Sequence, residues 1–281
     1  MVGLIDVGGG FRDIYGTGVL DTCLDNNIEF DCCVCVSAGS ANVASFLSKQ
    51  RGRNYRFYTE YAFRKDYFSA SNVIHGKRPL NLDYVYNTLS NEGGEDPVDY
   101  ETFSSYKGIF NVVATNGNTG RPHYFSMEDV AKDDFKILSA SSSIPVVAGA
   151  TEIDGVEYFD GGASDPIPIK RALELGCDKL VIILTKPIDT VVEPERDLTL
   201  SAMIDGKYPQ VARALRVHSL RYNRGVKLAK KLEAEGKAII IAPEDTCGVS
   251  TLSRDKDKMN DLYNLGLKDG LKVVEFMKQN S

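Results

Sequence analysis

Nowhere in the 281 residues do eighteen apolar side chains run together, so no membrane-spanning helix is expected. The first strand-like stretch, Met1-Val2-Gly3-Leu4-Ile5-Asp6-Val7, meets an acid at its sixth residue and has no basic leader, so it reads as structure rather than as a targeting signal. A cytoplasmic location is the expectation. Histidine is scarce: only His75, His123 and His218 could supply an imidazole. Nucleotide fingerprints are missing as well. No G-x-G-x-x-G follows the glycines at Gly8, because Arg12 and Asp13 stand where it would continue, and no Lys-Ser/Thr pair closes a phosphate loop. A disulfide framework is also lacking, since four of the six cysteines crowd between Cys23 and Cys35. Adjacent strand residues face opposite ways, so Cys32 and Cys33 are badly placed to share a metal, and with Cys35 they match no zinc spacing. Reduced, buried thiols, no metal and no cofactor are therefore expected. There is no internal repeat and no linker, which favours one domain over residues 1–281.

What the chain does have is 43% hydrophobic residues, ordinary globular usage, and a formal net charge of -6, which argues against nucleic acid as a main partner. That charge is uneven. Lys207 to Lys237 carries nine Lys/Arg against Glu233 and Glu235. The apolar residues Val211, Leu215, Leu220, Val226, Leu228 and Leu232 run among them, so Val211 to Ala234 is predicted as a helical region with a solvated basic face. Peripheral contact with an anionic membrane is the alternative use of that face; of Arg213, Arg216, Arg221 and Arg224, helical steps of about 100° put Arg213, Arg216 and Arg224 near one side while Arg221 points away, so the face is partial. Lys179 to Thr185 and Lys237 to Ala242 read as buried strands, each preceded by a helical pattern, which is the alternation of a parallel, doubly wound α/β sheet. Ile109 to Thr115 and His123 to Ser126 read as a strand pair joined by the turn-rich Asn116 to Gly120.

The chemistry concentrates at Cys32 to Asn42, an apolar strand that runs through Ser37 into the small-residue helical pattern Ala38 to Lys49. A serine on a sharp strand-to-helix turn is thrust out of the sheet edge, with the helix N-terminus behind it to favour developing negative charge. Gly8-Gly9-Gly10, directly after the first strand, leaves backbone amides free to converge on one oxygen, with Arg12 to brace the turn or meet an anionic substrate group. A hydroxyl needs a base, and Asp160 stands at a predicted strand end before Gly161-Gly162. Between Tyr55 and Phe68 lies an aromatic and basic segment, read as a satellite core, with an apolar wall for an acyl chain as the second reading.

Gly8 to Arg12, the Ser37 elbow, the Ser-rich Ala140 to Pro145 and Asp160-Gly161-Gly162 come in one order, and in that order the chain resembles the patatin-like phospholipases from Gly3 to about Thr185. The resemblance implies a three-layer α/β/α fold with a mostly parallel central sheet and a Ser37–Asp160 dyad. It implies, too, an oxyanion hole from the Gly8, Gly9 and Gly10 amides, an acyl-serine intermediate and a lipid or other acyl ester as substrate. Three positions depart from the pattern: Cys35 for the elbow's first glycine, Asp13 for a glycine after the basic residue, and Asp165 where asparagine is common. Two rivals stand beside this reading. One is a Ser-Asp-His esterase using His218, which alone follows Asp160 in the chain; the other is a lipid-binding or regulatory protein whose elbow is a relic.

Overall fold

Two short apolar runs, Val2–Asp6 (β1) and Cys32–Val36 (β2), lie side by side at the centre of a mixed sheet. All five residues of β2 are buried, as continuous apolar strands must be when both sheet faces are covered. The computed structural model describes residues 1–69, 78–252 and 254–280. The remaining strands are Ile109–Asn116 (β3), Pro122–Ser126 (β4), Thr151–Ile153 (β5), Val156–Asp160 (β6), Lys179–Ile183 (β7) and Ala238–Ile241 (β8). They order as β5-β6-β3-β2-β1-β7-β8, with β4 also paired to β3. The run from β3 to β8 is parallel, whereas β4 and β6 pair antiparallel with β3, and β5 with β6.

Helices cover both faces. Leu4, Cys33 and Cys35 join a core with the helices Ile14–Asp25 and Ala38–Leu47, while Ile5, Cys32, Val34 and Val36 face the helices Ile169–Glu174 and His218–Ala234. Period-two alternation along β2 thus fills two separate cores. The last helix, Lys256–Asn280, lies along Ile14–Asp25, where Tyr15 Oη donates to Asp269 at 2.7 Å and Tyr263 Oη donates to Asp21 at 2.7 Å. This is a three-layer α/β/α arrangement with a mostly parallel sheet. The β3–β4 pair forms as its sequence predicts. All six thiols are free, five of them buried, and burial raises those of Cys23 and Cys33 to about 12. Among the described residues no cluster of His, Cys, Asp and Glu is placed to hold a metal ion, and no helix is long and apolar enough to cross a membrane. His75 lies outside the described residues.

The basic region departs from its sequence pattern. It is broken at Val217 into Pro209–Arg216 and His218–Ala234. The Ala214 carbonyl, which an unbroken helix would pair with the amide of His218, is instead met by Val217 N at 3.3 Å and by Arg221 Nη1 at 3.4 Å. Arg221 also donates to Ala163 O at 3.2 Å and so points inward. Arg216 pairs with Asp205 at 2.8 Å. Arg221 thus lies apart from the exposed Arg213, Arg216 and Arg224.

Candidate active site

At the carboxyl end of β2 the chain turns through Ser37 at φ 55°, ψ -131°, and the helix Ala38–Leu47 begins at once. A non-glycine residue at positive φ carries backbone strain of order 1–3 kcal/mol, held here by the surrounding bonds. Ser141 Oγ accepts from Ser37 N at 2.7 Å and donates to Val113 O at 2.6 Å; Ser40 donates to Ser37 O through its amide at 2.9 Å and its hydroxyl at 2.6 Å. Ser141 was visible in the sequence only as part of a small, Ser-rich stretch. Its use as a bridge between elbow and sheet is a tertiary fact.

The turn after β1 crosses this elbow at close range. A Cβ on Gly8 would stand 2.3 Å from Val36 O, and one on Gly39 would stand 2.6 Å from Asp6 Oδ1, so neither position admits a side chain. Cys35, by contrast, needs no glycine. Its side chain points into the core, where Sγ reaches Asn111 O at 3.3 Å.

Asp160 ends β6, across β3 from the elbow, and its carboxylate meets the serine directly: Ser37 Oγ donates to Asp160 Oδ2 at 2.6 Å. Gly162 N holds the other oxygen at 2.8 Å. Burial pushes the Asp160 carboxyl above the ordinary range, against the pull of the Ser37 and Gly162 bonds and of the nearby His218 and Arg196. A carboxyl moved that way is a better proton acceptor than one in water. Asp165 is spoken for elsewhere, accepting from Tyr124 Oη at 2.8 Å.

One expected amide is unavailable. Gly8 N donates to Asp6 Oδ1 at 3.0 Å, so it cannot serve an oxyanion. Among the described residues the amides of Gly9 and Gly10 have no partner, and both glycines line the cleft with Ser37. Below the turn, Asp6 and Asp13 are fully buried, and Asp6 Oδ2 and both Asp13 oxygens find no N–H or O–H among the described residues. A proton held between the two carboxyls would answer one oxygen of each and leave the second Asp13 oxygen unpaired. Burial raises Asp6 to about 6, and burial together with Asp6 raises Asp13 well above the usual range. Acids raised on folding hold protons that the unfolded chain has already released, so this pair's contribution to stability falls as pH climbs from about 4 through the folded values. Asp13→Asn, a permanent neutral donor to Asp6, should therefore raise the melting temperature at pH 8 by about 3 °C or more, and by less at pH 5. An equal shift at both values in thermal melts would show that no proton is shared.

Ser37 lies at a seam between two cavities. On one side Phe11, Phe57, Tyr58, Tyr67, Leu82 and Leu138 build an apolar pocket, to which the π-helical stretch Tyr84–Leu89 adds Val85 and Leu89. The aromatic segment thus includes a wall beside the serine, although Tyr55 lies against Tyr263 instead, the two rings tilted with their centroids 4.5 Å apart. On the other side lies a second cleft, where Arg12, Asp160, Lys186, Arg196 and His218 stand among apolar residues such as Leu200 and Leu215. His218 is therefore a cleft residue, more enclosed than a plain surface histidine would be. Its Nδ1 lies 2.7 Å from Asp197 Oδ2, and no hydrogen bond joins it to Ser37 or Asp160. Arg12 donates to Thr251 Oγ1 at 2.9 Å, which braces the glycine turn.

A serine on a strand-to-helix elbow at the carboxyl edge of an α/β/α sheet is an arrangement also found in hydrolases. A family model described as patatin-like phospholipase matches residues 7–173, more than half of the chain, and the chain belongs to that family. A second model, described as a domain of unknown function (DUF6363), matches residues 208–280. The chain is similar to the uncharacterized protein YjjU of Escherichia coli (strain K12), with 28% identity over 200 residues that make up 69% of this chain and 54% of YjjU. It spans about half the length of that relative. A crystal structure of VipD from Legionella pneumophila aligns over 97% of this chain and 66% of VipD, with a TM-score of 0.48 at 12% identity.

Proposed function

We propose that this protein is a serine lipid acyl hydrolase, cleaving carboxylic esters through Ser37 and Asp160. The observation that carries the reading is the 2.6 Å bond from Ser37 Oγ to Asp160 Oδ2 at the seam between an apolar pocket and a second cleft that holds charged side chains. In the proposed cycle Asp160 takes the Ser37 proton as Oγ attacks the ester carbonyl. The oxyanion is met by the Gly9 and Gly10 amides, and the N-terminus of the helix Ala38–Leu47 favours its charge. Collapse of that intermediate expels the alcohol, which leaves with the proton from Asp160 while the acyl group stays on Ser37. Water, deprotonated by the same carboxylate, then releases the acid. The acyl chain lies in the apolar pocket, where each buried methylene contributes about 0.8 kcal/mol.

A fluorophosphonate probe tests the reading, because it reacts only with an activated serine. A single adduct mapped to Ser37 by mass spectrometry is expected. An unreacted protein that still binds acyl esters would instead be the lipid-binding protein with an idle elbow. The pocket has its own test: Leu82→Trp should lower kcat/KM for a twelve-carbon p-nitrophenyl ester at least about tenfold relative to the acetate. An unchanged ratio would place the acyl chain elsewhere.

A further inference from the structure

Asp6 and Asp13 line neither of the cavities that meet at Ser37, yet both lie fully buried beneath the glycine turn. Asp13 is the N-cap of the helix Ile14–Asp25, and its side chain makes no capping bond. A capping carboxylate would accept from an amide of that helix's first turn. This one meets Asp6 instead. A Cβ on Gly16 would stand 2.4 Å from Asp13 Oδ1 and 3.0 Å from Asp6 Oδ2, so the two carboxyls crowd against a single glycine. Asp6 is in turn wedged between two parts of the active site. Its Oδ1 accepts from Gly8 N at 3.0 Å, and the same oxygen is the one that a Cβ on Gly39, in the first turn of the helix behind Ser37, would strike. The Gly8 carbonyl is held from elsewhere, by Thr185 Oγ1 at 2.7 Å. In a trans peptide C=O and N–H point opposite ways, so this bond also sets the direction of the Gly9 amide.

We infer that Asp6 and Asp13 are a positioning pair for the oxyanion turn: with one proton held on Asp13, Asp6 fixes Gly8 and so aims the Gly9 and Gly10 amides. The assignment rests on the hydrolase reading and adds to it a second group that sets the rate. Asp6 is the carboxylate of the pair, because the Gly8 amide and the N-terminus of the helix Ala38–Leu47 both favour negative charge beside it. The oxygen left unpaired on Asp13 then belongs to a neutral acid, which is less costly to bury than a charge. Arg12 of the turn, Cys35 of β2 and Tyr58 of the helix Arg53–Thr59 are the titratable groups that face the pair. Burial keeps the thiol and the phenol neutral, and Arg12, whose charge works against the proton on Asp13, has its guanidinium turned to Thr251. Release of the proton to solvent at high pH puts two negative charges side by side in a fully buried place. The turn is the part that yields, since Gly8, Gly9 and Gly10 have no side chains to pin it and stand at φ 67°, 146° and 62°. Amides aimed away from the oxyanion weaken binding of the transition state and leave the acyl pocket as it was, so the loss falls on kcat rather than on KM.

The test is the pH profile of kcat for a short-chain p-nitrophenyl ester, followed by titration of the released acid. Wild type should show a bell, with the acid limb set by Asp160 and a fall of at least about fivefold on the alkaline side, while KM changes by less than about twofold. Asp13→Asn has an amide that donates to Asp6 and no proton to lose, so it should keep the acid limb and lack the alkaline one. Asp6→Ala, which removes the acceptor for Gly8 N, should lower kcat at least about tenfold at every pH. Asp6→Asn can still accept from Gly8 N and should restore most of that loss, again without an alkaline limb. If Asp6→Ala does not fold by circular dichroism, the two asparagine variants decide. Infrared difference spectra of wild type against Asp13→Asn at neutral pH should show the carbonyl band of a protonated carboxyl, a readout that needs no turnover. Absence of that band, or an alkaline limb that persists in Asp13→Asn, would overturn the pair and leave the hydrolase standing. A wild type that neither turns over esters nor takes the fluorophosphonate would overturn the hydrolase reading instead.

Discussion

Ser37→Ala is expected to bring hydrolysis of p-nitrophenyl acyl esters to background, a fall of at least about a thousandfold, with the fold retained. The residue is only 8% exposed, yet its hydroxyl is bonded to Asp160, and its loss opens no cavity in either core. The bonds that hold the elbow run through the backbone of residue 37, to Ser141 and Ser40, and survive the change. Alanine pays no more than serine for φ 55°. Circular dichroism and the melting temperature should therefore stay near wild type, with any stability change within about 1 kcal/mol. Turnover clearly above background in a folded Ser37→Ala protein would remove the serine from the mechanism.

Asp160→Asn should cost at least about a hundredfold in kcat/KM, the usual scale for losing a general base. Asparagine keeps the shape and can still accept from Gly162 N or Ser37 Oγ, but its amide cannot take the serine proton. The pH profile sharpens the expectation. Asp160 must be ionised to act as base, so wild-type kcat/KM should rise with pH along an acid limb displaced upward from the ordinary carboxylate range, the direction in which burial moves this group. The Asn variant should lose that limb. His123→Ala serves as the control and should stay within about twofold, since the ring sits exposed on β4 against Phe125 and Tyr158. If Asp160→Asn keeps most of its activity while His218→Ala is inert toward a neutral ester, an imidazole is the base and the dyad assignment is wrong.

Much of the site was legible because its signals are local. Ser37 could be picked out from the strand before it and the small residues after it, and Asp160 from a strand end followed by two glycines. Such patterns report backbone requirements, and glycine at 8 and 39 is dictated by contacts that any folded form of this turn must make. Gly8 nevertheless shows the limit of that reading. Three adjacent glycines offer three amides, but only the folded chain brings Asp6 onto the first of them. The buried partner explains Asp13 too: it departs from the glycine pattern and stands against Asp6 in the interior.

The sequence by itself determined the α/β alternation, the elbow and an acid at a strand end before two glycines, because hydrophobic period and turn chemistry act over a few residues. Where side chains far apart in the chain meet, only the tertiary structure decided. It divided the aromatics of 55–68 between a pocket wall and a contact with the last helix, and it broke the basic helix where Arg221 reaches the Ala214 carbonyl. It also carried Lys186, Arg196 and His218 to the same cleft as Ser37, over sequence separations of about 150 to 180 residues. No local pattern encodes such a meeting. It depends on β7 lying next to β1 and on helices after it folding back over the sheet's carboxyl edge, which is a property of packed layers rather than of any one segment.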